Sequence, residues 1–133
     1  MAYVNQSGAL NEGYADMFGE AFDLLNDATS LVYRDFVQTC TSNADYDRSD
    51  TIDPSTLWEI GEESVLLTIR DMYYPECFGD PGSITSSFYR CDDDDYGGVH
   101  TNAGVPNRIF ASMVQGTNDL DGNPIEGIGF NKT

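Results

Sequence analysis

The chain has 133 residues and a formal net charge of −17, from 6 basic and 23 acidic side chains. This excess argues against binding to nucleic acids or anionic membranes, because phosphate groups are bound by cationic side chains. It fits calcium binding, solubility in a secreted setting, or both. Hydrophobic residues make up 40% and aromatic residues 12% of the sequence, which favours one folded domain, or part of one, over a disordered chain.

No apolar run is long enough for a transmembrane helix, and the start of the chain, Met1-Ala2-Tyr3, does not have the pattern of a signal peptide. Three cysteines leave an odd one. Cys77 and Cys91 flank a loop rich in Gly, Pro and Ser and could form a disulfide, with Cys40 pairing outside the chain. The alternative is three reduced cysteines that pack as small apolar groups.

Apolar residues recur at spacings of three and four between Gln6 and Asn26, which predicts an amphipathic helix. The apolar positions are Leu10, Tyr14, Met17, Phe18, Ala21, Leu24 and Leu25. A second, acidic stripe has the same spacings, and such a stripe is typically a solvated face. It consists of Glu12, Asp16, Glu20 and Asp23. Because glycine is unfavourable in a helix, Gly8 and Gly13 indicate close approach of another backbone.

The middle of the chain is polar and rich in turn residues. Residues 27–56 are expected to form a long surface loop, which is longer than a compact domain needs and is therefore interpreted as an insertion. Trp58 anchors a compact acidic turn that continues through Glu59 and Glu62. Residues 79–87 are expected to form another loop, and an acidic run follows at residues 92–95.

The only histidine, His100, lies five residues after Asp95, across the pair Gly97-Gly98. Glycines allow the backbone to reverse, so Asp95 can accept the Nδ1 proton of His100 and favour its charged form. Such a histidine suits stabilisation of a developing oxyanion. The alternative interpretation is an ordinary loop histidine.

A second helix is predicted to begin between Asn102 and Pro106 and to end at Gly116. Its predicted buried side consists of Val105, Ile109, Phe110, Met113 and Val114. A turn at residues 121–124 and a short segment at residues 125–130 complete the chain, without internal repeats.

Together these segments resemble the thermolysin-like zinc metallopeptidases, the gluzincins. Residues 7–19 (SGALNEGYADMFG) are similar to the helix of the family that carries the third zinc ligand. The turn from Trp58 to Glu62 is similar to the family's calcium-binding turn. Residues 95–107 (DYGGVHTNAGVPN) are similar to its catalytic histidine loop and following helix. The motifs occur in the family's order. Residues 69–72 and 127–129 are weaker matches.

The resemblance implies a role for each matching position. Glu12 would complete zinc coordination beside two histidines, and Asp16 would accept a proton from a zinc-bound histidine. His100, oriented by Asp95, and Tyr3 would stabilise the tetrahedral intermediate of peptide cleavage, and Arg70 would bind a substrate carbonyl. The implied calcium ligands are Asp23, Glu59 and Glu62. Leu57 stands where the family has an acidic residue, which weakens a paired calcium site.

The family's His-Glu-x-x-His motif is missing, since His100 is the only histidine. We therefore expect residues 1–133 to be a single partial domain, mainly α with long irregular loops, from the α-helical lobe of a secreted zinc endopeptidase. The isolated chain is predicted to be inactive. The alternative is a natural, non-catalytic module that binds calcium or peptides. The helix face of Glu12 and Asp16, with its apolar neighbours uncovered, would associate with the missing peptidase segments or form a homodimer.

Overall fold

The computed structural model describes residues 2–26, 58–61, 69–118 and 122–129, and the predicted insertion at residues 27–56 lies outside them. The described part is mainly α-helical with loops, as predicted. Its elements are α1 (Asn5–Asn26), β1 (Glu59–Ile60), β2 (Arg70–Asp71), a 3-10 turn (Pro75–Phe78), α2 (Asp95–Gly98), a second 3-10 turn (Thr101–Ala103), α3 (Gly104–Gln115), β3 (Gly116–Asn118) and β4 (Pro124–Glu126). Within these ranges, no helix combines the length and apolar character that crossing a bilayer requires.

Two short antiparallel pairs accompany the helices. β1 pairs with β2, so that Glu59 lies opposite Asp71 and Ile60 opposite Arg70. β3 continues directly from α3 and pairs with β4, with Gly116 opposite Glu126. Strands of two or three residues are too short for an alternating hydrophobic pattern, which is why the sequence analysis predicts no strand there.

α1 packs against α3 and against the loop before it. A Cβ atom on Gly13 would lie 2.6 Å from Cγ of Pro106 at the start of α3. A Cβ atom on Gly8 would overlap the side chain of Val99. Both glycines therefore lie in close contact with another segment, as predicted, but the groups that approach them most closely are the side chains of Val99 and Pro106 and not another backbone.

Trp58 is the centre of the core and is completely buried. Its indole Nε1–H donates to Oε1 of Gln115 at 2.5 Å, and its ring lies edge-on to Phe110 with 5.8 Å between ring centroids. The buried members of this cluster are Leu24, Trp58, Met72, Tyr73, Ala111 and Val114. The turn at Trp58 is thereby fixed between α1 and α3.

The predicted buried side of α3 is only partly correct. Val114 is buried, whereas Ile109 and Met113 are 56% and 55% exposed. The two exposed side chains face away from α1 and line an open groove of about 470 Å³ together with Ile125 and Ile128. The β3–β4 pair borders this groove without covering it.

The burial of α1 departs from the usual pattern at several positions. Asp16 and Glu20 of the acidic stripe are 9% and 4% exposed, whereas Phe18 of the apolar stripe and Phe22, one turn further along, are 75% and 71% exposed. The acidic side chains are buried beside polar partners: the backbone N–H of Trp58, for example, donates to Oε1 of Glu20 at 2.8 Å. A solvated acidic face is therefore absent at Asp16 and Glu20, although Leu24 of the apolar stripe is buried in the core.

The proposed pairing of Cys77 with Cys91 is wrong in this structure. Cys77 is disulfide-bonded, but Cys91 is a free and exposed cysteine. Other contacts hold the two ends of the intervening loop: Gly82 N–H donates to Glu76 Oε1 at 3.0 Å, and Arg90 N–H donates to the side chain of Asn102. These contacts anchor the loop without a bond between its flanking cysteines. Cys40 lies outside the described residues.

Candidate active site

The backbone of α2 is left-handed at each of its four positions. The φ angles are 53° at Asp95, 55° at Tyr96, 88° at Gly97 and 73° at Gly98. Glycine adopts this conformation readily, whereas a residue with a side chain does so at a cost of about 1–2 kcal/mol. The turn is closed by hydrogen bonds from Gly98 N to Asp94 O and from Val99 N to Asp95 O, both 2.9 Å long.

This reversal brings Asp95 back to His100. Oδ1 of Asp95 lies 2.5 Å from Nδ1 of His100, and Oδ2 accepts the backbone N–H of His100 at 2.8 Å. Partial burial raises the pKa of Asp95, but the hydrogen bonds and charge of His100 outweigh it and leave that pKa below its ordinary value. The predicted hydrogen bond is present, and it fixes the orientation of the imidazole ring.

Tyr3, Glu12 and His100 meet on the side of the imidazole that faces away from Asp95. The Tyr3 hydroxyl donates a short hydrogen bond to Oε1 of Glu12 and lies 3.2 Å from Nε2 of His100. The same Nε2 lies 3.6 Å from Oε2 of Glu12. The hydrogen bond to Glu12 raises the pKa of Tyr3 to about 12, so the phenol keeps its proton at neutral pH.

Tyr3 has one hydroxyl proton, which it donates to Glu12, so its oxygen is available as an acceptor at the 3.2 Å contact with His100. Nδ1 of His100 faces Asp95, and Nε2 faces the space shared with Tyr3 and Glu12. A proton on Nε2 would therefore be directed into that space.

A second polar cluster surrounds Asp16, one turn along α1 from Glu12. Nη1 of Arg70 lies 2.9 Å from both carboxylate oxygens of Asp16, and Nδ2 of Asn107 donates to Oδ2 at 2.7 Å. The side chains of Asp16 and Arg70 are only 10% and 16% exposed. Charge-assisted hydrogen bonds in such a setting hold the carboxylate in one orientation.

Sequence reasoning overlooked Asn107, although a signal was present. The buried positions of α3 are Gly104, Asn107, Ala111 and Val114. Asn107 therefore stands at helical spacing among small and apolar residues, and a polar side chain on such a face requires a buried partner. Its partner, Asp16, is 91 residues away in the sequence.

Asp80 is a further carboxyl group near this cluster. Burial raises its pKa to about 7, with Asp16 and Asp95 contributing in the same direction and Arg70 opposing them. The Cβ atom of Asp80 would lie 3.1 Å from a Cβ placed on Gly104, so it packs at the start of α3. The sequence analysis assigned no role to Asp80.

The implied metal ligands occupy different places. Glu12 reaches the space beside His100, whereas Glu59 is buried in β1 and Asp23 is partly buried near the end of α1. Glu62 lies outside the described residues. In the described part of the chain, no three potential metal ligands form a group. The carboxylate of Glu12 can thus bind zinc, but in the described part of the chain it is not accompanied by the two further ligands that a catalytic zinc site needs.

Known proteins match most or all of the chain. Residues 1–133 match the thermolysin metallopeptidase, alpha-helical domain. A "Zinc metalloproteinase" from Renibacterium salmoninarum is 33% identical, over 99% of this chain and 21% of that protein. A "Bacillolysin" from Bacillus amyloliquefaciens is 31% identical, over 84% and 16% respectively. An "Extracellular elastase" from Staphylococcus epidermidis is 32% identical, over 86% and 17%.

The chain thus spans between about a sixth and a fifth of the length of these relatives. The matched domain is α-helical, in agreement with α1 and α3, and the relatives are named as a metalloproteinase, a bacillolysin and an elastase. On the match over residues 1–133, this chain belongs to the thermolysin metallopeptidases and corresponds to their α-helical domain.

Proposed function

We propose that this chain contributes to zinc-dependent hydrolysis of peptide bonds. In this proposal Glu12 is a zinc ligand, and His100 and Tyr3 stabilise the oxyanion that forms on the peptide carbonyl. The observation that carries the proposal is the convergence of three side chains on one space: Nε2 of His100 lies 3.2 Å from the Tyr3 hydroxyl and 3.6 Å from Glu12.

Each group has a defined task when a peptide is cleaved. As water adds to the peptide carbonyl, its oxygen becomes negatively charged and requires hydrogen-bond donors. Nε2–H of the His100 imidazolium is one donor, and Asp95 holds the ring in place through Nδ1. The Tyr3 hydroxyl is the other donor once Glu12 is occupied by metal, since a tyrosine hydroxyl keeps its proton at neutral pH.

Zinc, when bound, lowers the pKa of a water molecule and polarises the substrate carbonyl. A catalytic zinc site takes three protein ligands, and this sequence supplies Glu12 but has a single histidine. We therefore propose that a His-Glu-x-x-His segment outside this sequence completes the site, and that the chain is inactive without it. The exposed apolar face of α1, which includes Phe18 and Phe22, supports association with such a segment.

Arg70 and Asp16 are proposed to act beside this centre. Asp16 would accept the N–H of a zinc-bound histidine, because α1 places it one turn from Glu12 on the same side. Arg70 holds Asp16 through Nη1, and a guanidinium carries five N–H donors, so it would still donate to a substrate carbonyl. The substrate class is therefore proposed to be peptides or proteins, in an extracellular setting like that named for the staphylococcal relative.

The test is complementation. We would measure zinc content and cleavage of a fluorogenic peptide for the chain alone and for the chain mixed with a segment that contains His-Glu-x-x-His. Activity only in the mixture is expected, and Glu12→Gln and His100→Phe should abolish it. Glu126→Gln, which changes an exposed glutamate in β4, is the matched control and should retain activity.

Two outcomes would contradict the proposal. Zinc binding and cleavage by the chain alone would show that Glu12 has other ligands within this sequence. Zinc binding without cleavage in a demonstrably assembled mixture would favour a non-catalytic module that binds calcium or peptides. Assembly would be established independently by sedimentation, so that failed association is not mistaken for inactivity.

A further inference from the structure

Tyr96 combines two features that need a common explanation. It adopts left-handed backbone angles, φ 55° and ψ 32°, although it has a bulky side chain. Asparagine and glycine adopt this conformation with less strain. Its ring is also 67% exposed, so burial in the core does not account for the aromatic residue.

The ring of Tyr96 lies against Tyr3. The two ring centroids are 6.2 Å apart and the ring planes are inclined by 65°, which is the edge-to-face geometry that aromatic pairs prefer. Tyr3 also lies edge-on to His100, with 6.3 Å between centroids. Tyr3 therefore packs against two rings, both of which belong to the segment from α2 to His100.

The surrounding backbone explains why Tyr3 needs such support. Tyr3 is 42% exposed and precedes the first residue of α1, so the helix itself does not restrain it. The beginning of α1 lies against α2, because a Cβ atom on Gly97 would be 3.2 Å from Cα of Asn5. α2 thus reaches the segment of Tyr3 from the side, at the place where the Tyr96 ring projects.

We propose that Tyr96 is a positioning residue: its ring packs edge-on against Tyr3 and keeps the Tyr3 hydroxyl between Glu12 and His100. The strained left-handed backbone at Tyr96 aims the ring at Tyr3. The consequence for catalysis rests on the proposed function, but the packing itself is a property of this chain and is measured without zinc or substrate.

The experiment is NMR spectroscopy and thermal unfolding of the full chain with three variants. Tyr96→Asn keeps a residue that tolerates the left-handed turn and removes the ring. Tyr96→Phe keeps the ring and removes the hydroxyl. Phe88→Asn removes another exposed aromatic ring, from the loop before α2, and is the matched control. The readouts are the ring-proton shifts of Tyr3, the NOE between the Tyr3 and His100 rings, and the melting temperature.

We expect Tyr96→Asn to lose the NOE between Tyr3 and His100 while its melting temperature stays the same or rises, since strain is relieved. Tyr96→Phe should restore the NOE, and Phe88→Asn should leave it unchanged. An undiminished NOE in Tyr96→Asn would overturn the proposal. So would its loss together with a lower melting temperature, because Tyr96 would then support the fold as a whole. A chain that never binds zinc would still show the expected NOE pattern, so failure of the proposed function is distinguishable.

Discussion

Nδ1 of His100 lies 2.5 Å from Oδ1 of Asp95, which precedes it by five residues and reaches it through a left-handed turn. The pKa of Asp95 is lowered from 3.8 because His100 stabilises its charged form, although partial burial acts in the opposite direction. A carboxyl group with a lowered pKa contributes stability above its unfolded pKa and loses it as the pH falls through the folded value.

We therefore predict a pH-dependent effect of Asp95→Asn. Because the wild type loses the contribution of the Asp95 carboxylate in acid, the variant should gain in melting temperature relative to the wild type as the pH falls below about 4. The change of this melting-temperature difference with pH is the diagnostic quantity, because asparagine also relieves left-handed backbone strain by an amount that does not depend on pH. Asp93→Asn, an exposed position in the same acidic run, is the control. An identical pH dependence in both variants would contradict the prediction.

Asn107 donates to Asp16 in a buried position and should be important for stability. We predict that Asn107→Ala lowers the free energy of unfolding by about 2–3 kcal/mol, from the lost charge-assisted hydrogen bond and the space left behind. Arg90→Ala is the matched control, because its ion pairs with Asp92 and Asp94, 3.7 Å and 3.6 Å long, are exposed. It should change stability by about 0.5 kcal/mol or less. Urea unfolding of both variants would check this, and equal losses would contradict it.

Asp80 should oppose folding at neutral pH. Burial raises its folded pKa to about 7, so between the ordinary value of 3.8 and about 7 the unfolded chain binds fewer protons than the folded one. Stability therefore decreases as the pH rises through this window. Asp80→Asn should stabilise the protein at pH 8 by on the order of 1 kcal/mol, since partial exposure reduces the effect, and should have little effect at pH 4. Urea unfolding at both pH values measures this, and a variant less stable at pH 8 would refute it.

Calcium is predicted to stabilise the fold through Asp23 and Glu59, with Glu62 as a further ligand. Removal of calcium with EDTA should lower the melting temperature, because a ligand that binds only the folded state at about 100 times its Kd adds about 2.7 kcal/mol. Glu59→Gln should reduce this response, and Glu126→Gln, at an exposed position, should not. An unchanged melting temperature after addition of EDTA would contradict the prediction.

Local signals in the sequence were sufficient for α1, α3 and the turn that joins Asp95 to His100. The hydrophobic spacing, the glycines and Pro106 each act over a few residues, so they can be recognised in the sequence without a structure. The burial of Asp16 could not be predicted in this way. Its partners Arg70 and Asn107 are 54 and 91 residues away, and only the packing of α3 on α1 makes a buried carboxylate acceptable there.

The exposed side of α1 shows a related limit. When a helix is apolar on one face and carries buried acidic residues on another, its sequence does not show which face packs against the core. Phe18 and Phe22 look like core residues by composition, but in the described part of the chain they are exposed, whereas Leu24 of the predicted apolar face is buried. Hydrophobic periodicity thus identified the helix correctly and its buried side only in part.

The glycines of α1 provide the most direct test of how α1 meets α3. A Cβ atom on Gly13 would lie 2.6 Å from Cγ and 3.1 Å from Cβ of Pro106, and the proline ring cannot rotate away. Gly13→Ala should therefore force the helices apart and destabilise the protein by about 1–3 kcal/mol.

Gly19 is in the same helix, and a Cβ atom there would meet no heavy atom within 4 Å. Gly19→Ala should stabilise the protein by about 0.5–1 kcal/mol, because alanine has the higher helix propensity. Opposite signs for the two substitutions in urea unfolding are the expected result. Equal stabilisation by both would mean that α1 and α3 do not approach as closely at Gly13 as the structure indicates, and the orientation of Asp16 towards Asn107 would then need revision as well.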